Sequence, residues 1–273
     1  MDNNVGCRIW NNNDFSLTFT RSLNMQAFNL LLQALLGSVI ALFGGIVFLY
    51  NRRLSSILEK YSVPFAAGVL VTVSLLGLIP EAEHEIGEST YWIVLISFLG
   101  VYIFEHLFFD LHHHGEDDGH THDIKTSSIG FVIFGDTIHN FIDGVAIGAG
   151  FLINPNLGLI TAFSTFLHEV PHEIGDFGIL LKAGWTKSKI LVVNIVSALM
   201  TVIGAFTVYF FSHSTTLNGT LMAISAGIFL YLGASDFLPK IESDHKNKFK
   251  SLLPLILGSA IIMATILLLP HEG

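Results

Sequence analysis

The sequence predicts an all-α, polytopic membrane protein of eight transmembrane helices, and three observations carry that prediction. Residues of the set AVILMFWYC make up 51% of the 273-residue chain and charged residues only 13%, about half of the ~25% usual in a soluble domain. The mean hydropathy is +0.62. Eight apolar runs each approach the ~20 residues that a helix needs to cross a ~30 Å hydrocarbon core. The runs are continuous rather than alternating, which excludes barrel strands.

The segments cover roughly 26–50, 61–80, 90–110, 129–153, 157–181, 190–212, 214–238 and 251–270. The first, second, sixth and eighth contain no charged residue. The third ends in Glu105, His106 and Asp110. The fourth and fifth are joined by the turn Asn154-Pro155-Asn156 and carry several acids and histidines. The seventh holds Asp236 near its end. Residues 1–25 are Asn-rich and read as a short, flexible, non-cytosolic lead. They lack a basic region ahead of a short apolar stretch, so no signal peptide is expected. Residues 26–270 read as one transmembrane domain, with a His-rich loop at about 111–127.

The basic residues set the orientation. With the N-terminus outside, the cytosolic loops hold 11 of the 13 Lys and Arg residues, and only Arg8 and Arg21 lie in the lead. The outer loop at 81–90 carries Glu81, Glu83, Glu85 and Glu88 and no base. Both termini are therefore expected on the non-cytosolic side. The membrane expected is a plasma or bacterial inner membrane, or an organelle membrane such as ER or Golgi. A net charge of -9 argues against a nucleic-acid partner. A single cysteine, Cys7, excludes an internal disulfide framework and a Cys-based zinc site.

Asp136 and Asp143 in the fourth segment, and Glu169, Glu173 and Asp176 in the fifth, are the chemical anomaly. A carboxylate near the bilayer centre costs on the order of 2.5–3.5 kcal/mol, and no Lys or Arg lies within either segment. Protons, protonated His or a bound cation must balance these charges. Spacing favours a cation. His139 and Asp143 stand four apart on one face, with Asn140 beside them and Asp136 one turn away. His168 and His172 form a second such pair, Glu169 and Glu173 a third. The turn between the segments sets His139 level with His172 and Asp143 level with His168. Imidazole, carboxylate and amide donors suit Zn2+, Fe2+ or Mn2+; the absence of nearby Cys and Met argues against Cu(I). Pro171 leaves the Leu167 carbonyl without its helical donor, either as a packing kink or as a transport device.

These residues also carry a resemblance. His139-Asn140-Phe141-Ile142-Asp143-Gly144, followed by His168-Glu169-Val170-Pro171-His172-Glu173-Ile174-Gly175-Asp176, resembles the ZIP family of divalent-metal transporters. The likeness is greatest to the branch that reads HExPHExGD in its fifth helix and has a His-rich loop. Leu78-Ile79-Pro80-Glu81-Ala82 and Ala226-Gly227-Ile228-Phe229-Leu230-Tyr231 fit as well. The resemblance implies a ZIP-like bundle, a homodimer in the lipid bilayer, and transport of divalent metal toward the cytosol. It implies Zn2+ as the main cargo, with Fe2+, Mn2+ or Cd2+ as others. By position, His139, Asp143, His168 and His172 resemble transport-site ligands. Asn140 and Glu169, sharing Asp143 and His172, resemble a second site. Other branches add a sixth-helix glutamate; here Asn194, Ser197 and Thr201 stand in that segment without an acid.

A different class is also open, because His168-Glu169-x-x-His172 matches the HExxH of zinc metalloproteases, which would make the chain an intramembrane protease. Around the centre, Asp136, Glu173 and Asp176 are expected to line the path or support the ligands. Glu81 and His84 at the outer end would attract cations or belong to a solvated acidic loop, and Asp236 would line the exit. His112, His113, His114, His120 and His122 would sense or deliver metal on the cytosolic side, or form a solvated linker. Glu105 and His106 are expected to pair with each other or with metal. Asn218-Gly219-Thr220 is a glycosylation sequon too close to the seventh segment to be used.

Overall fold

The computed structural model describes residues 12–109, 126–239 and 248–269, all of it helix and short connections. Helix α1 (Asn12–Gly37) and α2 (Leu42–Tyr50) form the first rod, interrupted by a turn at 38–41. Thus the stretch expected as a flexible lead is helical from Asn12 onward. Asn12, Asn13 and Asp14 are residue types favoured at helix starts, and no Gly or Pro follows until Gly37. The second rod joins α3 (Arg52–Val73), a π-helical stretch at Ser74–Leu78 and α4 (Ile79–Ile86). Gly87, at φ 63°, ends it in the left-handed region.

Helix α5 (Ser89–Phe109) is the most outward-facing, with Tyr91, Trp92, Ile96 and Ile103 exposed as on a lipid-facing surface. The central hairpin is α6 (Thr126–Ile153) and α7 (Pro155–Lys182). Asn154 caps α7 by accepting from the Asn156 amide at 2.9 Å, with Pro155 in the first turn. Helix α8 (Lys187–Phe211) follows, then α9 (Thr215–Tyr231) with a π-helical stretch at Leu232–Phe237, then α10 (Lys248–Leu268).

Among the described residues, five rods are long and apolar enough to cross a membrane: Leu23–Tyr50, Lys60–Ile86, Ser89–Leu107, Lys187–Phe211 and Thr215–Phe237. Leu252–Leu268 is a shorter apolar helix. Helices α6 and α7 are as long, and the acids and histidines of the centre lower their hydropathy.

The tightest seam lies between α6 and α8. A Cβ on Gly144 would stand 2.0 Å from the Thr201 carbonyl oxygen, and one on Gly204 would stand 2.2 Å from that of Phe141. Only glycine admits such an approach, and it fixes the register of α8 on α6. The core on the other side of α6 gathers Leu70, Leu78, Leu157, Ile160, Met222 and Phe229, all fully buried.

Candidate metal centre

Helical spacing places His139 and Asp143 on one face of α6, and His168 and Glu169 on adjoining positions of α7. The antiparallel hairpin brings the two pairs together. Each of the four residues offers a donor atom within 4.8 Å of the others, and all four are buried. His139 Nε2 lies 2.9 Å from Glu169 Oε1 and 3.7 Å from Asp143 Oδ2. His168 Nε2 lies 3.3 Å from Asp143 Oδ2 and 3.9 Å from Glu169 Oε1. His172 Nε2 is also buried, and its ring stacks on His139 at 4.5 Å.

One hydrogen bond orients the donors. His168 Nδ1 stands 3.0 Å from the Ser164 carbonyl, which can only accept, so Nδ1 carries the proton. A neutral ring then turns the Nε2 lone pair toward Asp143 and Glu169. Lone pairs facing carboxylates repel one another unless a cation lies between them. Consistent with this, both Asp143 oxygens and His168 Nε2 are buried without a hydrogen-bond partner among the described residues. Two imidazoles and two carboxylates match the preference of zinc for nitrogen and oxygen donors. Phe229 packs edge-on against His168 at 5.3 Å, and Phe237 lies 5.7 Å from His172, which limits water on that side.

Asn140 stands apart from this quartet. Its amide donates to Asp136 Oδ1 at 3.0 Å, and its oxygen accepts from the Thr201 hydroxyl at 3.0 Å. The fully buried Asn140 is thus bonded to α6 and α8. Sequence reasoning left Thr201 without a role; which residue of α8 meets Asn140 depends on helix adjacency, which no local pattern reveals.

The remaining residues divide by depth. Glu173 is buried one turn past Glu169, and the charges of Glu169, Asp136 and Asp176 all act on it. Asp176 is half-buried. Pro171 faces away: it lines an apolar cavity of about 690 Å3 with Tyr61, Phe65, Val170 and Leu257, on the side of α7 opposite Glu169. In α4 Glu81 is buried, whereas His84 is exposed and 3.8 Å from Glu85. Asp236 sits half-buried in the π-helical stretch after α9. Glu105 accepts from the Tyr231 hydroxyl, and His106 stacks on Tyr102. Asn218 is buried and accepts from Ser212 at 2.5 Å, which removes the sequon from solvent. His112, His113, His114, His120 and His122 lie outside the described residues.

A helical bundle with a buried His/carboxylate centre between two antiparallel rods defines a metal-binding membrane protein. Comparison with known families sharpens this. The model of the family described as ZIP Zinc transporter matches residues 111–266, and the chain belongs to that family. It is 35% identical over 142 residues to zinc transporter foi of Drosophila melanogaster, covering 52% of this chain and 20% of that protein. It is 42% identical over 135 residues to zinc transporter ZIP10 of Mus musculus, covering 46% of this chain and 16% of that protein. It is 39% identical over 108 residues to zinc transporter ZIP4 of Homo sapiens, covering 40% and 17%. The chain therefore spans about a fifth or less of the length of these relatives. The family is one of transporters, and the metalloprotease alternative finds no support in it.

Proposed function

We propose that this chain carries divalent metal cations, chiefly Zn2+, across a membrane toward the cytosol. One observation carries the reading: His139, Asp143, His168 and Glu169 converge inside the bilayer-length hairpin, whose sequence from 129 to 181 holds no Lys or Arg. Family membership supports zinc as cargo. Fe2+, Mn2+ and Cd2+ share the donor preferences that such a site meets and belong to the same proposal.

The mechanism is alternating access. The centre opens outward, the ion displaces any protons on the imidazoles and carboxylates, and the centre then opens inward. Glu173 and Asp176, one and two turns further along α7, offer the next oxygens on the way to the cytosol. Eight spans with both termini outside follow from the basic-residue asymmetry and from counting α6, α7 and α10 as spans. A homodimer in a plasma, bacterial inner or organelle membrane completes the reading.

The test is zinc influx into liposomes that hold the purified chain and an interior zinc-sensitive dye. Wild type should load the liposomes, and His168→Ala should not. Zinc bound without uptake, or uptake retained in His168→Ala, contradicts the reading.

A further inference from the structure

Helix α9 turns one face to α5 and the opposite face to the metal centre. Gly227 and Tyr231 stand four apart on the first face. A Cβ on Gly227 would lie 2.5 Å from the Val94 carbonyl oxygen, and the Tyr231 hydroxyl donates to Glu105. Phe229 stands on the second face, edge-on to His168 at 5.3 Å. Phe237 also meets the centre, 5.7 Å from His172, and an unbroken α-helix would not put it there. At about 100° per residue, a position eight residues after Phe229 points about 80° away from it. The π-helical stretch Leu232–Phe237 makes up the difference. Its hydrogen bonds reach five residues back instead of four, so it takes up one extra residue. The remaining seven steps bring Phe237 to within about 20° of the Phe229 direction. The same count turns Asp236 to the α5 side, where its charge acts on the Tyr231 hydroxyl.

We propose that Leu232–Phe237 is a gate that moves by one residue of register. When its bonds tighten from the π to the α pattern, the chain beyond it turns by about 100°, and Asp236 takes the place of Phe237 beside His172. An apolar ring that limits water is exchanged for a carboxylate that can draw the ion off the centre. Ala234 and Ser235, in the middle of the stretch, are exposed and leave it room to tighten. Tyr231, held by Glu105, and Gly227, pressed on Val94, keep the first half of α9 and Phe229 in place. The turn is thereby confined to the residues that follow. This rests on the transport reading of the centre and names the step by which the ion leaves it.

Deleting Ala234 removes the extra residue. The helix then runs α throughout, Phe237 stays on the His172 side, and Asp236 has no register in which to replace it. Zinc affinity of the purified full chain and zinc influx into liposomes are measured for wild type and the deletion variant. Influx should fall at least about tenfold with Kd within about twofold of wild type, because opening is lost and binding is not. The register itself is read with cadmium in a Cys7→Ser background. Asp236→Cys should give the ultraviolet thiolate-to-cadmium band when Cd2+ is added, because the gate carries position 236 to the ion. Ser235→Cys, which faces away from the centre in both registers, should give none. Deleting Ala234 from the Asp236→Cys chain should abolish the band.

Unchanged influx on deletion of Ala234, no cadmium band in Asp236→Cys, or an equal band in Ser235→Cys overturns the gate while leaving transport intact. The cadmium comparison of positions 235 and 236 decides the matter even if the deletion variant does not fold. A wild type that neither binds nor moves metal overturns the transport reading and the gate together.

Discussion

His168 Nε2 on α7 stands 3.3 Å from Asp143 Oδ2 on α6, and neither side chain is exposed to solvent. The contact joins the two halves of the central hairpin through donor atoms rather than through apolar packing. With the Ser164 carbonyl fixing the other nitrogen, the pair is arranged to share a cation.

Alanine in place of His168 or Asp143 removes a ligand from that pair. Zinc affinity of the purified chain should fall by at least about a hundredfold, above the 10–100-fold typical of outer-shell changes. Calorimetric titration against wild type checks this. Thermal unfolding of the metal-free variants should stay near wild type, because each change also removes a buried polar group from an unbalanced centre.

Zinc should stabilise the fold by mass action. At a free concentration of 100 Kd the gain is about 2.7 kcal/mol, and the unfolding temperature should climb with the logarithm of zinc concentration. His139→Ala should flatten that dependence. Differential scanning fluorimetry with and without chelator reads both effects.

Acid should weaken the centre. The imidazoles must be deprotonated to bind, so protons compete with zinc as the pH falls. Affinity should decline as the pH is lowered. Equilibrium binding at several pH values, with a flat profile as the contrary outcome, decides the point.

The α6–α8 seam should tolerate no added methyl. A Cβ at Gly144 overlaps the Thr201 carbonyl, so Gly144→Ala must push α8 away, and overpacking of this kind costs about 1–3 kcal/mol. Gly100→Ala on α5 meets nothing within 4 Å and should be neutral or slightly stabilising. Unfolding temperatures of the two variants in detergent make the comparison.

Much of this was legible in the residues themselves. Apolar runs mark the rods because lipid demands continuous apolar length. The level pairing of His139 with His172 follows from a short turn, and their rings stack at 4.5 Å. What the residues do not reveal is contact between elements distant in the chain. Thr201 on Asn140 and Tyr231 on Glu105 depend on which helices are neighbours. The helical start at Asn12 was missed because an Asn-rich stretch reads as loop by composition, although the same residue types favour helix starts. The turn at 38–41 lies within unbroken apolar sequence and has no sharper signal than Gly37 and Ser38.

X-ray absorption at the zinc edge of the loaded full chain tests most directly whether the α6–α7 quartet holds the ion. Wild type should show one shell of nitrogen and oxygen at about 2.0–2.1 Å, with the multiple scattering of two imidazoles and no sulfur. His139→Ala should lose one imidazole from that pattern. A zinc-free wild type, or an unchanged imidazole count in His139→Ala, would contradict it.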